Sequence, residues 1–213
     1  MKDQTGPETS YAARVDNDVS ALVHVLSQFH PVNKKIESFF RQHIIPLHVS
    51  RKKLILREGA LCNHVYFIKR GVLRGFIKED NREITTWITA EGEMVTSIAS
   101  MDERKPSREY IQAIEDCELM ALTYEHLDKL YKDHIEFNII GRKLLQRYYH
   151  DAEKRAFIAR LTNAEEKYRQ FLLQHETLSN RIPLTHIANY LGITLETLSR
   201  VRRKLNQPGK EFR

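Results

Sequence analysis

Residues 183–201 read PLTHIANYLGITLETLSRV, and this stretch decides the fold of the carboxyl-terminal part of the chain. Pro183 suits the first turn of a helix, where its missing N–H costs nothing. Gly192 can adopt the left-handed conformation that ends this helix, and the hydroxyl of Thr194 can cap a second one. The apolar positions that form one inward face are Ile187, Ala188, Leu191, Leu198, Val201 and Leu205. This spacing predicts a helix-turn-helix.

The second helix of this motif carries basic and hydrogen-bonding side chains at its exposed positions. The chain of 213 residues has a net charge of +6, and its last seventeen residues hold six basic side chains against one acidic one. Nearly the whole charge excess therefore lies where phosphates would bind, which favours double-stranded DNA as a partner over a helical hairpin that binds nothing. The residues expected at this interface are Thr194, Leu195, Glu196, Ser199, Arg200, Arg202, Arg203 and Lys204.

Between residues 46 and about 122 the apolar residues recur with a period of two. Short β-branched and aromatic runs at 53–56, 65–68, 72–77 and 84–88 alternate with turns that contain glycine or Asp-Asn. Several strands at about ten-residue intervals are typical of a small antiparallel roll or barrel.

Helical spacing is found on both sides of this region. Residues 19–45 predict two helical pieces with Pro31 between them, and residues 134–159 predict one long helix. A helix of about 25 residues is roughly 40 Å long, and a second copy of itself is the simplest partner for its apolar stripe. Packing lengthwise on the roll is the alternative, and Asp151 and Arg155 interrupt the stripe.

The predicted fold class is therefore α+β, with an antiparallel β-roll, a long dimerisation helix and a carboxyl-terminal helix-turn-helix domain. The expected parts are a polar tail (1–18), the roll with flanking helices (19–123), the long helix (124–160) and the helix-turn-helix domain (161–213). Neither a secretory signal nor an apolar run of about 18 residues is present, so we expect a cytoplasmic protein that does not enter membranes.

This order of parts resembles the cyclic-AMP receptor / fumarate–nitrate regulator (Crp/Fnr) family of bacterial transcription regulators, over roughly residues 25–205. The resemblance implies a sequence-specific homodimer on a pseudo-palindromic DNA site, with RNA polymerase as a further partner. The residues that carry it are Gly59, Val65-Tyr66-Phe67-Ile68, Gly71 and Gly92-Glu93 in the roll, and Leu191-Gly192 and Glu196-Thr197-Leu198-Ser199-Arg200 in the DNA-reading motif.

The resemblance also implies which side chains read the bases. In the family, the residues that match Glu196 and Arg200 touch base edges, as a carboxylate can accept from cytosine and a guanidinium can pair with guanine. The Glu-x-x-Ser-Arg form is similar to the fumarate–nitrate regulator branch, which implies a TTGAT-like half-site with Ser199 near a thymine. Leu195 stands where the cyclic-AMP receptor branch has an arginine.

This sequence departs from the residue pattern of the family's cyclic-nucleotide pocket. That pocket uses a Gly-Glu pair for the ribose and, about ten residues later, an Arg-Ser/Thr pair for the phosphate. Gly92-Glu93 matches the first pair, Ser107-Arg108 reverses the second, and Tyr149-His150 stands where cyclic-AMP receptors place hydroxyl residues. These six residues are the candidate pocket, and we expect an effector other than cyclic AMP, or none.

Metal cofactors are not expected. The amino-terminal cysteines that hold an iron–sulfur cluster in oxygen-sensing members are absent, and the chain has only Cys62 and Cys117. Cys62 and His64 form a single Cys-x-His, which is too little for a closed metal site, and we expect no haem.

Other interpretations remain open. One is a cyclic-nucleotide-responsive regulator with a non-standard pocket, and another is a sensor scaffold that works through protein contacts and no longer binds DNA. An enzyme is not expected, because His43, His48 and His64 are scattered and no catalytic motif appears. Eight residues follow Leu205, so the β-hairpin wing of the family is expected to be reduced or missing.

Overall fold

The computed structural model describes residues 19–80 and 82–205. Its helices are α1 (19–27), α2 (Lys34–His43), α3 (Ile98–Glu103), α4 (Tyr124–Asp133), α5 (Phe137–Arg160), α6 (Ala164–Gln174), α7 (Leu184–Leu191) and α8 (Leu195–Leu205). Its strands are β1 (Ile45–Val49), β2 (Leu54–Leu56), β3 (His64–Arg70), β4 (Leu73–Glu79), β5 (Arg82–Thr89), β6 (Met94–Val95), β7 (Tyr110–Ala113) and β8 (Cys117–Thr123). The predicted polar tail and the predicted loss of the wing both lie outside the described residues.

The eight strands form two four-stranded sheets, in the orders β1-β8-β3-β6 and β2-β7-β4-β5. Every pair of neighbouring strands is antiparallel, and the hairpin β4–β5 pairs Leu73 with Thr89 at one end and Glu79 with Arg82 at the other. This confirms the predicted antiparallel roll. Apolar residues between the sheets form a continuous core that extends to α1, α2, α4 and the first half of α5.

Inside the roll, the indole of Trp87 on β5 lies against Gly75, its partner on β4. A Cβ at Gly75 would lie 2.2 Å from indole atoms, so only glycine leaves room for the ring. The Trp87 Nε1–H donates to the Glu109 carboxylate at 3.0 Å. The chain's only tryptophan is thereby fixed in the interior of the roll.

Residues 124–160 form two helices, of which α5 confirms the long helix predicted over 134–159. The chain leaves helical geometry at His134, with φ −128° and ψ 85°, and α5 begins at Phe137. The side-chain amide of Asn138 donates to the carbonyl oxygens of Tyr131 and Ile135, at 3.0 and 3.2 Å. The first bond satisfies a carbonyl group in the last turn of α4 and the second a carbonyl group in the link to α5, so the break between the helices is itself stabilised.

The apolar residues of α5 do not form the single stripe that the sequence predicts. One face, with Phe137, Ile140, Leu144 and Ile158, is buried against the rest of the chain. A second face is exposed and consists of Leu145, Tyr149, Ala152 and Ala156. Leu145 and Tyr149 keep 56% and 66% of their surface exposed, so α5 both packs on its own chain and leaves an apolar face open.

The helix-turn-helix domain (α6 to α8) packs on the roll. Its core is continuous with residues of β5 and of the turns beside β4 and β7, and α7 lies against β5. The roll residues that share this core are Val72, Ile88, Ala90 and Ile114. Arg181, which precedes α7, forms ion pairs with Glu91 and Glu115 of the roll. We call the sheet surface that faces α7 the outer face.

Candidate nucleic-acid interface and effector pocket

The turn before α8 has the geometry that the sequence predicts. Gly192 has φ +62° and ψ 40°, the left-handed conformation in which glycine is strongly favoured. The Ile193 N–H donates to the Ala188 carbonyl at 3.1 Å, which completes the cap of α7. The Thr194 hydroxyl accepts from the Thr197 N–H at 3.1 Å and so caps α8.

The side chains of α8 separate into a buried and an exposed face. Leu198 and Val201 are buried in the domain core, while the candidate base-reading residues Glu196 and Arg200 are exposed. Thr194, Leu195, Ser199 and Arg203 are exposed as well, and Arg202 is half-buried. One face of α8 is therefore open over its whole length.

The charged side chains on this face differ in the hydrogen bonds and ion pairs that they form. A hydrogen bond to its own backbone N–H and one from the Thr194 hydroxyl lower the pKa of Glu196, so that it is a carboxylate at neutral pH. Arg200 and Arg203 form no ion pair with any residue that the structure describes. Lys204 differs, because its ammonium pairs with Glu165 on α6. Of the predicted basic contacts, Lys204 is thus already held by a carboxylate.

A buried lysine on α6 joins the helix-turn-helix to the end of α5 through hydrogen bonds. The Lys167 ammonium on α6 is almost fully buried and donates to the Leu191 carbonyl at 2.8 Å and to the Ala159 carbonyl at 3.3 Å. It thereby joins the last turn of α5 to the end of α7. The sequence reasoning missed this residue, because a lysine between two glutamates and a tyrosine looks like an exposed helix position.

Of the six candidate pocket residues, Glu93 and Tyr149 line one cavity of the described chain, and the other four do not line it. Gly92, with φ +82°, lies in the turn before β6. The carboxylate of Glu93 accepts from Arg147 on α5 and from the Tyr148 hydroxyl, the latter at 3.3 Å. Tyr148 also accepts from the Met94 N–H at 2.8 Å. Glu93 therefore ties the roll to α5, and each of its carboxylate oxygens already accepts one hydrogen bond.

The second predicted pair has a different environment. Ser107 is buried, and its hydroxyl lies 3.1 Å from that of Ser97, ten residues earlier. Arg108 points to solvent. Two residues after Ser107, Glu109 enters the roll, where burial raises the pKa of its carboxyl although hydrogen bonds from Trp87 and Ser97 lower it. Where the resemblance implies a cationic phosphate site, this roll holds hydroxyls and a carboxyl group.

The predicted pair on α5 is also placed differently. Tyr149 and His150 are both exposed, and the His150 ring lies 3.1 Å from the Glu153 carboxylate on the same helix. The preceding residues, Arg147 and Tyr148, face the roll instead. Because α5 begins only after the break at His134, its helical phase could not be read from the sequence closely enough to choose between neighbours.

The two cysteines are buried thiols. Cys62 lies 3.3 Å from the Thr96 hydroxyl, and burial raises the pKa of Cys117 to about 11. Within residues 19–80 and 82–205, no three His, Cys, Asp or Glu side chains converge as metal ligands. No helix in that part of the chain is long and apolar enough to cross a membrane.

The sequence model of the cyclic nucleotide-binding domain matches residues 46–134. An anaerobic regulatory protein of Pasteurella multocida is 24% identical over 173 residues, covering 76% of this chain and 63% of that protein. The transcriptional activator protein FnrA of Stutzerimonas stutzeri is 25% identical over 205 residues, covering 90% and 76%. These similarities support the resemblance of this chain to Crp/Fnr family regulators.

Solved structures show the same fold. A Crp/Fnr regulator from Eubacterium rectale has a TM-score of 0.66 at 22% identity, covering 82% of this chain and 83% of that one. FixK2 from Bradyrhizobium japonicum has a TM-score of 0.65 at 21% identity, covering 76% and 84%. The predicted α+β architecture is therefore confirmed. The match to the Pasteurella relative spans less than two thirds of that protein's length.

Proposed function

We propose that this protein is a sequence-specific transcription regulator that binds double-stranded DNA as a homodimer. The observation that carries the proposal is the open face of α8, where Glu196 and Arg200 are exposed and form no ion pair with any described residue. Residues four apart on a helix lie about 5–6 Å from each other between Cβ atoms, so both can reach neighbouring base pairs. A carboxylate and a guanidinium then select cytosine and guanine edges in the major groove.

Backbone contacts would come from the basic end of α8. Arg203 is exposed and Arg202 is half-buried, and both follow Arg200 by less than one turn. Lys204 can contribute only if it leaves Glu165, because a phosphate and a carboxylate compete for the same ammonium. We therefore assign most of the phosphate contact to the two arginines.

The exposed face of α5 supports the homodimer. Leu145, Tyr149, Ala152 and Ala156 follow each other at intervals of four, three and four residues, which is the spacing of a helix–helix seam. The two alanines let a second helix approach closely. A second copy of α5 would cover this face and place two reading helices over half-sites about 34–36 Å apart.

The chemistry inside the roll supports an effector other than cyclic AMP, or none. A cyclic phosphate needs a cation or several N–H donors, and the Glu109 carboxyl opposes it. The Glu93 carboxylate is already held by Arg147 and Tyr148. By analogy with its relatives, we further propose that the regulator acts in the cytoplasm, contacts RNA polymerase and has no enzymatic activity.

The deciding experiment is selection of bound sequences from random DNA with the purified protein. We expect a pseudo-palindrome with TTGAT-like half-sites one helical turn apart. Arg200→Ala should then cost about 1–3 kcal/mol on the selected site and relax the preference at one base pair. Arg203→Ala is the matched variant, and it should weaken binding to all sequences alike and flatten the salt dependence.

Two outcomes would overturn the proposal. The first is selection that returns no motif. The second is an equal loss of affinity in both variants on selected and random DNA, because the assignment of base reading to Arg200 and phosphate contact to Arg203 would then be wrong. Affinity that does not change with salt would instead favour a scaffold that works through protein contacts.

A further inference from the structure

The contact between the helix-turn-helix domain and the roll is held at its edge by one arginine. The Arg181 guanidinium donates to both oxygens of Glu91, at 2.6 and 3.0 Å, and also pairs with Glu115. Burial alone would raise the pKa of Glu91, but hydrogen bonds from Arg181 and from the Gly71 N–H lower it. We call Arg181, Glu91 and Glu115 the Arg181 clamp. It joins the segment before α7 to two different turns of the roll.

The interior of the same contact contains buried polar atoms without hydrogen-bond partners, which lowers the stability of the docked state. Three buried side-chain atoms in the described chain have no hydrogen-bond partner: the Thr86 hydroxyl, Nδ1 of His186 and the Tyr190 hydroxyl. Thr86 and His186 belong to β5 and α7, which pack on each other, whereas the Tyr190 ring packs against Phe171 and His175. An unpartnered buried polar atom shifts an equilibrium by about tenfold or more against the state that buries it. Undocking would return the Thr86 hydroxyl and the His186 Nδ1 to water.

Charge adds to this cost at the centre of the contact. The groups that influence the charge of His186 are Arg74 on β4 and Glu83 on β5. Burial and the Arg74 guanidinium lower the pKa of His186 to about 4, and Glu83 offsets only part of this. Arg74 is itself buried and fixed by Glu83, so it cannot move away from a second positive charge. The contact therefore requires a neutral imidazole.

We propose that the position of the helix-turn-helix domain on the outer face is a releasable docked state, which the Arg181 clamp holds and which protonation of His186 opens. Apolar burial and the clamp favour docking, while the unpartnered groups of β5 and α7 oppose it. Release would let the helix-turn-helix domain, with the end of α5 to which Lys167 joins it, move relative to the roll. The inference concerns two parts of one chain and does not depend on which DNA is bound.

Hydrogen–deuterium exchange of the full-length protein, read by mass spectrometry, tests the clamp. Arg181→Gln should speed exchange of the amides of β5 and α7 by about tenfold, the effect of losing a half-exposed pair with two carboxylates. In Arg181→Gln, the further change Glu91→Gln should add little, because both remove the same contact. Lys132→Ala is the matched control, since it deletes an exposed ion pair with Asp128 on α4, away from the contact.

A pH series tests the second part. The pKa of the His186 imidazole is about 4 in the docked state and about 6.5 in the free state. Above about pH 6.5 the imidazole is neutral in both states and does not oppose docking, and as the pH falls below this value its protonation in the free state increasingly favours release. Between about pH 7.5 and pH 5.5 the docking equilibrium should shift about tenfold toward release. After correction for the intrinsic rate of amide exchange, the wild type should show this shift in β5 and α7, and His186→Gln should not.

The results separate cleanly. Faster exchange at β5 and α7 in Arg181→Gln, with none at β1 and β8, supports a releasable contact. Unchanged protection in Arg181→Gln overturns the role of the clamp, and a pH shift that persists in His186→Gln overturns the role of the imidazole. Because exchange is measured without DNA, a failed selection experiment would leave these results intact, and the reverse also holds.

Discussion

Arg74 offers a sharp test of the packing on the outer face. The residue is only 1% exposed. Its guanidinium donates to Glu83 at 2.5 Å, to Gln112 at 2.6 and 2.9 Å and to the Thr85 hydroxyl at 3.3 Å. It also lies 4.2 Å from the ring centre of Phe76. The substitution Arg74→Met keeps the length of the side chain and removes all four hydrogen bonds.

The expected loss follows from what each partner can do afterwards. Breaking a buried ion pair costs about 3–5 kcal/mol when the remaining charge stays buried. Glu83 is 37% exposed and can regain water, so its share is reduced, whereas the Thr85 hydroxyl is left without its buried partner. We expect Arg74→Met to lower the free energy of unfolding by about 3 kcal/mol.

Urea unfolding followed by the fluorescence of Trp87 measures this loss, because Trp87 is the only tryptophan and lies on the neighbouring strand. Arg70→Met is the matched control. Arg70 pairs with Glu118 at 3.2 Å but is 66% exposed, so its loss should stay within about 1 kcal/mol. If Arg74→Met costs no more than Arg70→Met, or stabilises the protein, the buried guanidinium is not what holds this part of the sheet.

Two further substitutions test the interior of the roll and the cap of the recognition helix. Gly75→Ala should lower the stability by about 1–3 kcal/mol and shift the emission of Trp87, because the new methyl group would overlap the indole; an unchanged spectrum would contradict that packing. Thr194→Ala should cost about 1 kcal/mol in thermal unfolding, since it removes the acceptor of the Thr197 N–H, while Thr194→Ser keeps the acceptor and should cost less than half as much.

The reading motif was predictable because its signals are local. Gly192 ends α7 by its own conformational freedom, and the Thr194 hydroxyl bonds a backbone group three residues away. Such interactions lie within one helical turn and do not depend on the rest of the chain. The same holds for the strands of the roll, whose alternation is set by nearest neighbours.

The pocket was not predictable in the same way. Glu93 matches a motif, but its role depends on Arg147, which is distant in sequence and lies on another element. Whether Tyr148 or Tyr149 faces the roll depends on where α5 starts, and a shift of one residue turns a helix by about 100°. Ser107 meets Ser97 only because α3 returns the chain to β7. These are tertiary relations, and spacing along the chain does not contain them.

The buried ammonium of Lys167 makes the joint between the long helix and the reading motif stiff against torsion. Its carbonyl partners, Ala159 and Leu191, belong to the last turn of α5 and to the last residue of α7. A buried charge cannot surrender either partner without a large penalty. A rotation of the last turn of α5 is therefore transmitted to the turn at Gly192 between α7 and α8.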